Sequence, residues 1–447
     1  MASATDTPSI VRFTNCVLAF DGTEQPDDLY ICQAAGKIVP KPSPSEPVRT
    51  VDLGGRLLSP GLIDVQLNGA MGLNFSDVPA TEPEMAGYAE AVDRTFTGLI
   101  KTGVTSLLPT LVTAKSEVFK RAIPYVAPKG HLRDASAGAE SLGIHCEGPF
   151  ISPAKKGAHA ADLLQIPSAG AKTIEEFYGL ENLKPPSVGE ADAQNSRPAP
   201  IRKITVAPEL PGMYDAIRDL TRDYGTVISL GHSGATYEQG LEGIRAGATM
   251  LTHTFNAMEP FLHRKPGLVG LIGAPETELK KMDGKLSRPF FGLITDDIHV
   301  HPSCVRAAWA MHEEGCIVTT DGTAATGLDL PDGVHQWKTG GRRVIKSGRK
   351  LFLEGTDTIA GGTTTLLQCV SNLIRWTGVS PARALKTVTG NPAKMLGLED
   401  VKGTLRPGAD ADLLVLSWDG ANGQQELKVD EVWKFGTQVF VAADAQS

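Results

Sequence analysis

Apolar and polar positions change rhythm twice along the chain. Residues 10–58 run in short apolar alternations broken by turn residues, among them I-V-R-F-T-N-C-V-L-A-F, D-D-L-Y-I-C and V-R-T-V-D-L-G-G-R-L-L. Asp21-Gly22 predicts a hairpin turn there. The far end repeats the pattern with A-D-L-L-V-L and V-W-K-F-G-T-Q-V-F-V-A. Neither end can bury a core by itself. Pairing them predicts a small β-sandwich from 1–58 and 400–447, which brings the termini together.

Between them, over 59–399, the rhythm becomes strand, loop, helix, repeated. Candidate strands fall at 58–68, 104–112, 141–151, 204–209, 226–232, 248–255, 290–299 and 316–321. A helical segment follows each, short and Gly/Pro-broken after the sixth. Thr81 and Glu84 have capping-box spacing before one of them. This succession predicts an α/β fold, a (β/α)8 TIM-like barrel. A doubly wound sheet is the alternative, but no G-x-G-x-x-G follows the early strands. Two further helices are expected at 362–376 and 381–396, the second with Ser380 as N-cap and Pro381 at its first position. The Pro/Ser/Ala-rich stretch 184–200 reads as a surface insertion. Residues 329–355 read as a β-hairpin lid after the eighth strand.

Composition narrows the class. The 447 residues carry 43 basic and 51 acidic side chains, a net −8, which argues against non-specific nucleic-acid binding. The six cysteines form no C-x-x-C pair and read as buried thiols, not a disulfide frame. No signal-like N-terminus or membrane-length apolar run is evident, so a cytoplasmic protein is expected.

The strand ends carry the chemistry. Asp64-Val65-Gln66-Leu67-Asn68, His145-Cys146-Glu147, His232-Ser233, His253, Asp296 to His299 and Thr320-Asp321 all lie at the same end of their strands. Period-two geometry puts His145 and Glu147 on one face and Cys146 on the other. Burying several imidazoles and carboxylates together is costly unless a cation offsets them. Two histidines with one carboxylate form a common catalytic zinc-type set.

The motifs P-G-L-I-D-V-Q-L-N-G, H-C-E-G-P-F, K-K-G-A-H, A-P-E, G-H-S, T-H-T-F-N-A-M, H-R-K-P-G, D-D-I-H-V, T-D-G-T, A-G-G, N-P-A and G-x-L-x-P-G-x-D-A-D run in order along nearly the whole chain. In this set the chain resembles the amidohydrolase superfamily, in its N-acetylglucosamine-6-phosphate deacetylase branch. The resemblance implies one divalent metal on Glu147, His232 and His253. Zinc suits these ligands; ferrous iron, cobalt and manganese are alternatives. Gln66 and Asn68 stand where the superfamily usually has His-x-His, and are expected to contact the metal's water. Asp321 is implied as general base and acid, and His159 as a partner of the developing oxyanion. Ala158, His159, Asn256, Ala257, Arg264, His299, Ile359, Ala360 and Gly361 are implied to bind an amino-sugar phosphate, with Arg264 reaching a neighbouring subunit's site in a homodimer. His145 is left in a supporting position beside the ligands. Two other readings stay open, an amidohydrolase acting on a cyclic amide or nucleobase, and a catalytically silent sugar-phosphate sensor.

Overall fold

The computed structural model describes residues 10–185, 198–279, 288–328, 330–336, 343–348, 350–419 and 426–443. Most of the insertion expected at 184–200 lies outside them.

Eight parallel strands form the barrel: β1 (Leu62–Leu67), β2 (Val104–Val112), β3 (Ile144–Glu147), β4 (Ile201–Val206), β5 (Val227–Leu230), β6 (Met250–Leu251), β7 (Phe290–Ile294) and β8 (Cys316–Thr319). They pair in chain order from β1 to β8. The ring closes through a Leu67–Gly322 bridge and an Asp321 N–H donated to the Gln66 carbonyl at 3.0 Å. Parallel strands covered on both faces must be apolar throughout, and every residue of β1 is buried. An apolar cluster with Ile63, Leu108, Val227, Met250 and Ile317 fills the interior, joined by Ala393, Met395 and Leu396 of the chain's late helices.

The chain ends build two further sheets. One takes strands from 10–52; the other interleaves strands from 17–60 with strands from 413–441. Phe13, Ile31, Leu58, Val415 and Trp433 share the core between them. Asp21 and Gly22 both adopt positive φ, 50° and 78°, between strands Val17–Phe20 and Thr23–Pro26, as the hairpin reading required.

Several local expectations change. Thr81 caps no backbone N–H; its hydroxyl bonds the Glu84 carboxylate instead. The helix expected from 362 begins at Leu366 behind the Thr365 cap, because Gly362 pairs with Gly322 and so joins the Asp321 segment. The helix expected over 381–396 is two, Pro381–Lys386 and Gly390–Met395. The break frees the Thr387 and Val388 carbonyls, which accept from Val318 N–H in β8 and Ile63 N–H in β1. The expected hairpin lid has a third strand and forms a three-stranded antiparallel sheet. That sheet reaches the site through Phe352–Ile359 pairing and an Ala360 N–H donated to the Leu351 carbonyl.

All six cysteines are free thiols. No helix among the described residues is long and apolar enough to cross a membrane.

Candidate active site

The site lies where the barrel strands end. Glu147 is the last residue of β3, His232 follows β5, His253 follows β6 and Asp321 follows β8. His232, His253 and Asp321 adopt positive φ, 47°, 25° and 45°. Such conformations are unfavourable by about 1–3 kcal/mol each for non-glycine residues and persist only where the surroundings over-determine them. At β6 the turn is so early that only Met250–Leu251 remains of the strand expected over 248–255.

Three donor atoms converge. Glu147 Oε1 stands 3.1 Å from His253 Nε2 and 3.4 Å from His232 Nε2, and the two ring nitrogens are 3.0 Å apart. Those separations match the edge of a tetrahedron of ligands about 2.0–2.1 Å from a zinc-type ion, roughly 3.3 Å. Two imidazole nitrogens facing each other at this distance need either a shared proton or a common cation. His232 Nδ1 donates to the Lys155 carbonyl at 2.9 Å, so its proton sits there and the Nε2 lone pair faces the cluster. The donor set therefore fits a divalent metal. Glu147, His159 and His232 also form a candidate metal-binding group, their ligand atoms within 4.8 Å of one another.

Gln66 and Asn68 border the same space. Gln66 Nε2 donates to Glu147 Oε1 at 2.8 Å and Asp321 Oδ1 at 3.2 Å, and Asn68 Nδ2 donates to Asp321 Oδ1 at 2.8 Å. Carboxylate acceptors fix both amides nitrogen-inward. Their carbonyl oxygens are buried and have no hydrogen-bond partner among the described residues. Burial and the Glu147 charge raise Asp321 above the usual carboxylate range. Burial also pushes Glu147 up, but His232 and His253 outweigh it and hold that carboxylate ionised. Burial above all pulls His159 down to about 3, so its imidazole is neutral.

Two features of the β3 stretch escaped the sequence. Thr113 hydrogen-bonds His159 Nδ1 at 2.7 Å. Only glycine fits at 148 beside it, since a Cβ there would stand 2.3 Å from Thr113 Oγ1, and φ is +78°. His145 does lie on the Glu147 side of β3, with Cys146 packed into the main apolar cluster. However, it bonds Thr110 Oγ1 at 3.1 Å and Thr205 Oγ1 at 2.8 Å, not Glu147. Burial and the Lys203 charge keep it neutral.

The remaining expected residues fall in two groups. His299 donates Nδ1–H to Asp296 Oδ2 at 2.7 Å, and Asp296 Oδ1 accepts the Ile298 and His299 backbone N–H groups. Asn256 donates to the His253 carbonyl, and Ala257 has φ 50° with its carbonyl accepting from Ser233 N–H. Gly362, next to the 359–361 segment, donates to the Asp321 carbonyl. These all adjoin the cluster; Ala158 is exposed beside His159. Arg264 is different. It is exposed in a tight loop closed by Leu262–Lys265 pairing, beside exposed Phe261 and Leu262, and this chain does not carry it into the cluster.

Eight parallel strands with carboxylate and imidazole groups gathered at their C-terminal ends define a hydrolase-type barrel with a candidate metal site. Residues 57–439 match the Amidohydrolase family, and the chain belongs to that family. It is 37% identical over 414 residues to a human protein named N-acetylglucosamine-6-phosphate deacetylase, covering 91% of each chain. A solved N-acetylglucosamine-6-phosphate deacetylase from Pasteurella multocida aligns with TM-score 0.76 and 26% identity over 97% of this chain and 100% of its own. A Mycobacterium smegmatis deacetylase, solved as a mutant in complex with N-acetyl-D-glucosamine-6-phosphate, aligns at 0.73 and 28% over 97% and 99%.

Proposed function

We propose that this chain hydrolyses N-acetyl-D-glucosamine 6-phosphate to D-glucosamine 6-phosphate and acetate in amino-sugar breakdown. The observation that carries this is the meeting of a three-donor metal set with a raised, amide-held Asp321 in one buried cluster. The relatives named above support the substrate. Glu147, His232 and His253 hold one divalent ion in this reading, zinc by the chemistry of the donors. Such an ion acidifies a water and polarises the acetyl carbonyl.

This chain's own residues do the rest. Asp321, its carboxylate less acidic than usual, takes the proton of the attacking water. It then delivers that proton to the amide nitrogen, which leaves as an amine. Gln66 and Asn68 keep Asp321 Oδ1 in place and present carbonyl acceptors. Thr113 occupies one nitrogen of His159, leaving the other for the acetyl oxygen, where a donated hydrogen bond stabilises developing negative charge. Ala158 and 359–361 border the sugar. Asn256, Ala257, His299 and Arg264 take the phosphate, Arg264 from the other subunit of a cytoplasmic homodimer. We take 1–58 with 400–447 as one domain and 59–399 as the other.

The test is acetate release from the phosphorylated sugar together with metal analysis of the purified protein. No release by metal-loaded protein overturns the reading. Arg264→Ala should weaken phosphorylated substrate by about 10- to 150-fold, the range for a hydrogen bond to a charged group. It should leave the unphosphorylated analogue nearly unaffected. Equal loss for both removes Arg264 from the phosphate site.

A further inference from the structure

The A-P-E motif has no place in the chemistry above, although its glutamate adjoins the site. Glu209 sits just past β4, partly buried. Its Oε2 accepts from the Ser233 hydroxyl at 2.6 Å and its Oε1 from the Gly234 N–H at 2.7 Å. Those are the two residues that follow His232. Charge-assisted bonds this short are the strong class. The Ser233 hydroxyl oxygen in turn accepts from Ala235 N–H at 3.0 Å, so one carboxylate orders the whole turn.

His232 needs such a turn. At φ 47° its backbone is in the left-handed region, which a residue with a Cβ leaves unless its neighbours hold it. On the other side the His232 carbonyl accepts from Ser152 N–H at 2.9 Å, and its ring is held by the Lys155 carbonyl. Lys155 is itself tied down by an ion pair with Glu259 at 2.9 Å. Glu209 is therefore one jaw of a clamp whose other jaw is Lys155. His232 is held from both sides in this way, with Nε2 turned to Glu147 and His253.

We propose that Glu209 is a positioning residue for the metal site: it holds the turn after His232 so that Nε2 points at the ion. This rests on His232 being a metal ligand. Partners that orient metal ligands typically contribute about 10- to 100-fold in metal affinity.

The experiment titrates zinc-loaded protein with a chromophoric chelator and records the visible spectrum of cobalt-substituted protein. Glu209→Ala should lower zinc affinity about 10- to 100-fold and alter the cobalt bands. The thermal midpoint of the chelated protein should barely move. Glu209→Gln keeps one acceptor for Gly234 and offers an amide N–H to the Ser233 oxygen, so it should recover most of the loss. Wild-type zinc affinity in Glu209→Ala would overturn the proposal. So would a fall confined to the thermal midpoint, or a Gln variant as weak as the Ala variant. If Glu209→Ala does not fold, Ser233→Ala removes one of the two bonds and should weaken zinc binding by a smaller factor; unchanged affinity there overturns the proposal equally. His232→Ala separates the two levels. If it holds zinc like wild type, the ligand set is wrong. If it loses zinc while Glu209→Ala does not, only the role of Glu209 falls.

Discussion

Among the described residues, two buried clusters have the donor spacing of a metal site. One is the Glu147 cluster; the other is Glu140, Asp410 and Asp412, where the barrel meets the terminal sheets. Their difference lies in what already neutralises them. Lys402 Nζ stands 2.5 Å from Glu140, 2.8 Å from Asp410 and 2.8 Å from Asp412. Lys434 Nζ, fully buried, is 2.9 Å from Glu140 and 2.7 Å from Asp412. Lys37 and Arg133 close on Asp410 at 2.7 and 2.9 Å. Four fixed cations thus meet three carboxylates, and the acids' lone pairs are spent on N–H donors. At Glu147 the neighbours are imidazoles, which lend lone pairs instead of filling the space with ammonium groups. Converging carboxylates alone do not make a metal centre; the company they keep decides.

The comparison can be broken in order of effect. Asp321→Asn should lower turnover by about 10²–10⁴-fold, the usual contribution of a positioned acid–base group, with zinc content and thermal midpoint near wild type. Retention of most turnover would remove Asp321 as the base. Lys434→Met should do the reverse. It takes the buried ammonium partner from Glu140 and Asp412 and should cost about 3–5 kcal/mol in denaturant unfolding, with zinc affinity unchanged. An unaltered unfolding midpoint would mean that the Lys434 ion pairs do not hold the second cluster.

Acid should distinguish the clusters further. Burial raises Glu140, Asp410 and Asp412, but the lysines, Lys402 above all, outweigh it and hold each below its ordinary value. A depressed folded pKa gives stability that is present above the unfolded value, about 4, and is lost as pH falls through the folded value. Stability of the chelated protein should therefore be insensitive to this cluster from about pH 5 upward and decline below about pH 4. The decline should be smaller in Lys434→Met; equal acid sensitivity in both proteins would contradict the pairing. The smallest effect on stability is that of metal removal. Chelation should abolish acetate release and lower the thermal midpoint only by the linkage of zinc binding to folding, about 2.7 kcal/mol at a hundredfold excess over Kd. Readdition of zinc should restore both.

Much of this was legible in the residues. The eight strands showed because parallel strands are apolar on both faces and helices intervene at regular intervals. Glu147, His232, His253 and Asp321 stood out as polar groups closing apolar runs. The second cluster was half visible. Asp410 and Asp412 belong to the G-x-L-x-P-G-x-D-A-D motif noted in the chain, but their partners Glu140 and Lys434 are far away in sequence. Glu209 was seen within A-P-E without a role, because its partners come from the next strand's loop. Thr113 gave no signal, since one threonine after an apolar strand is ordinary.

The sequence by itself determined the periods, and with them the barrel, the terminal sheets and the inventory of donor groups at the strand ends. Those are local properties, set by side-chain alternation and backbone preference. Only the tertiary structure decided which charges meet. It joined lysines to one carboxylate cluster and imidazoles to the other. It turned His232, His253 and Asp321 into left-handed conformations, and broke the helix over 381–396 so that its carbonyls could serve β1 and β8. The physical reason is that a hydrogen bond or ion pair acts over a few ångströms of space, whatever the separation along the chain.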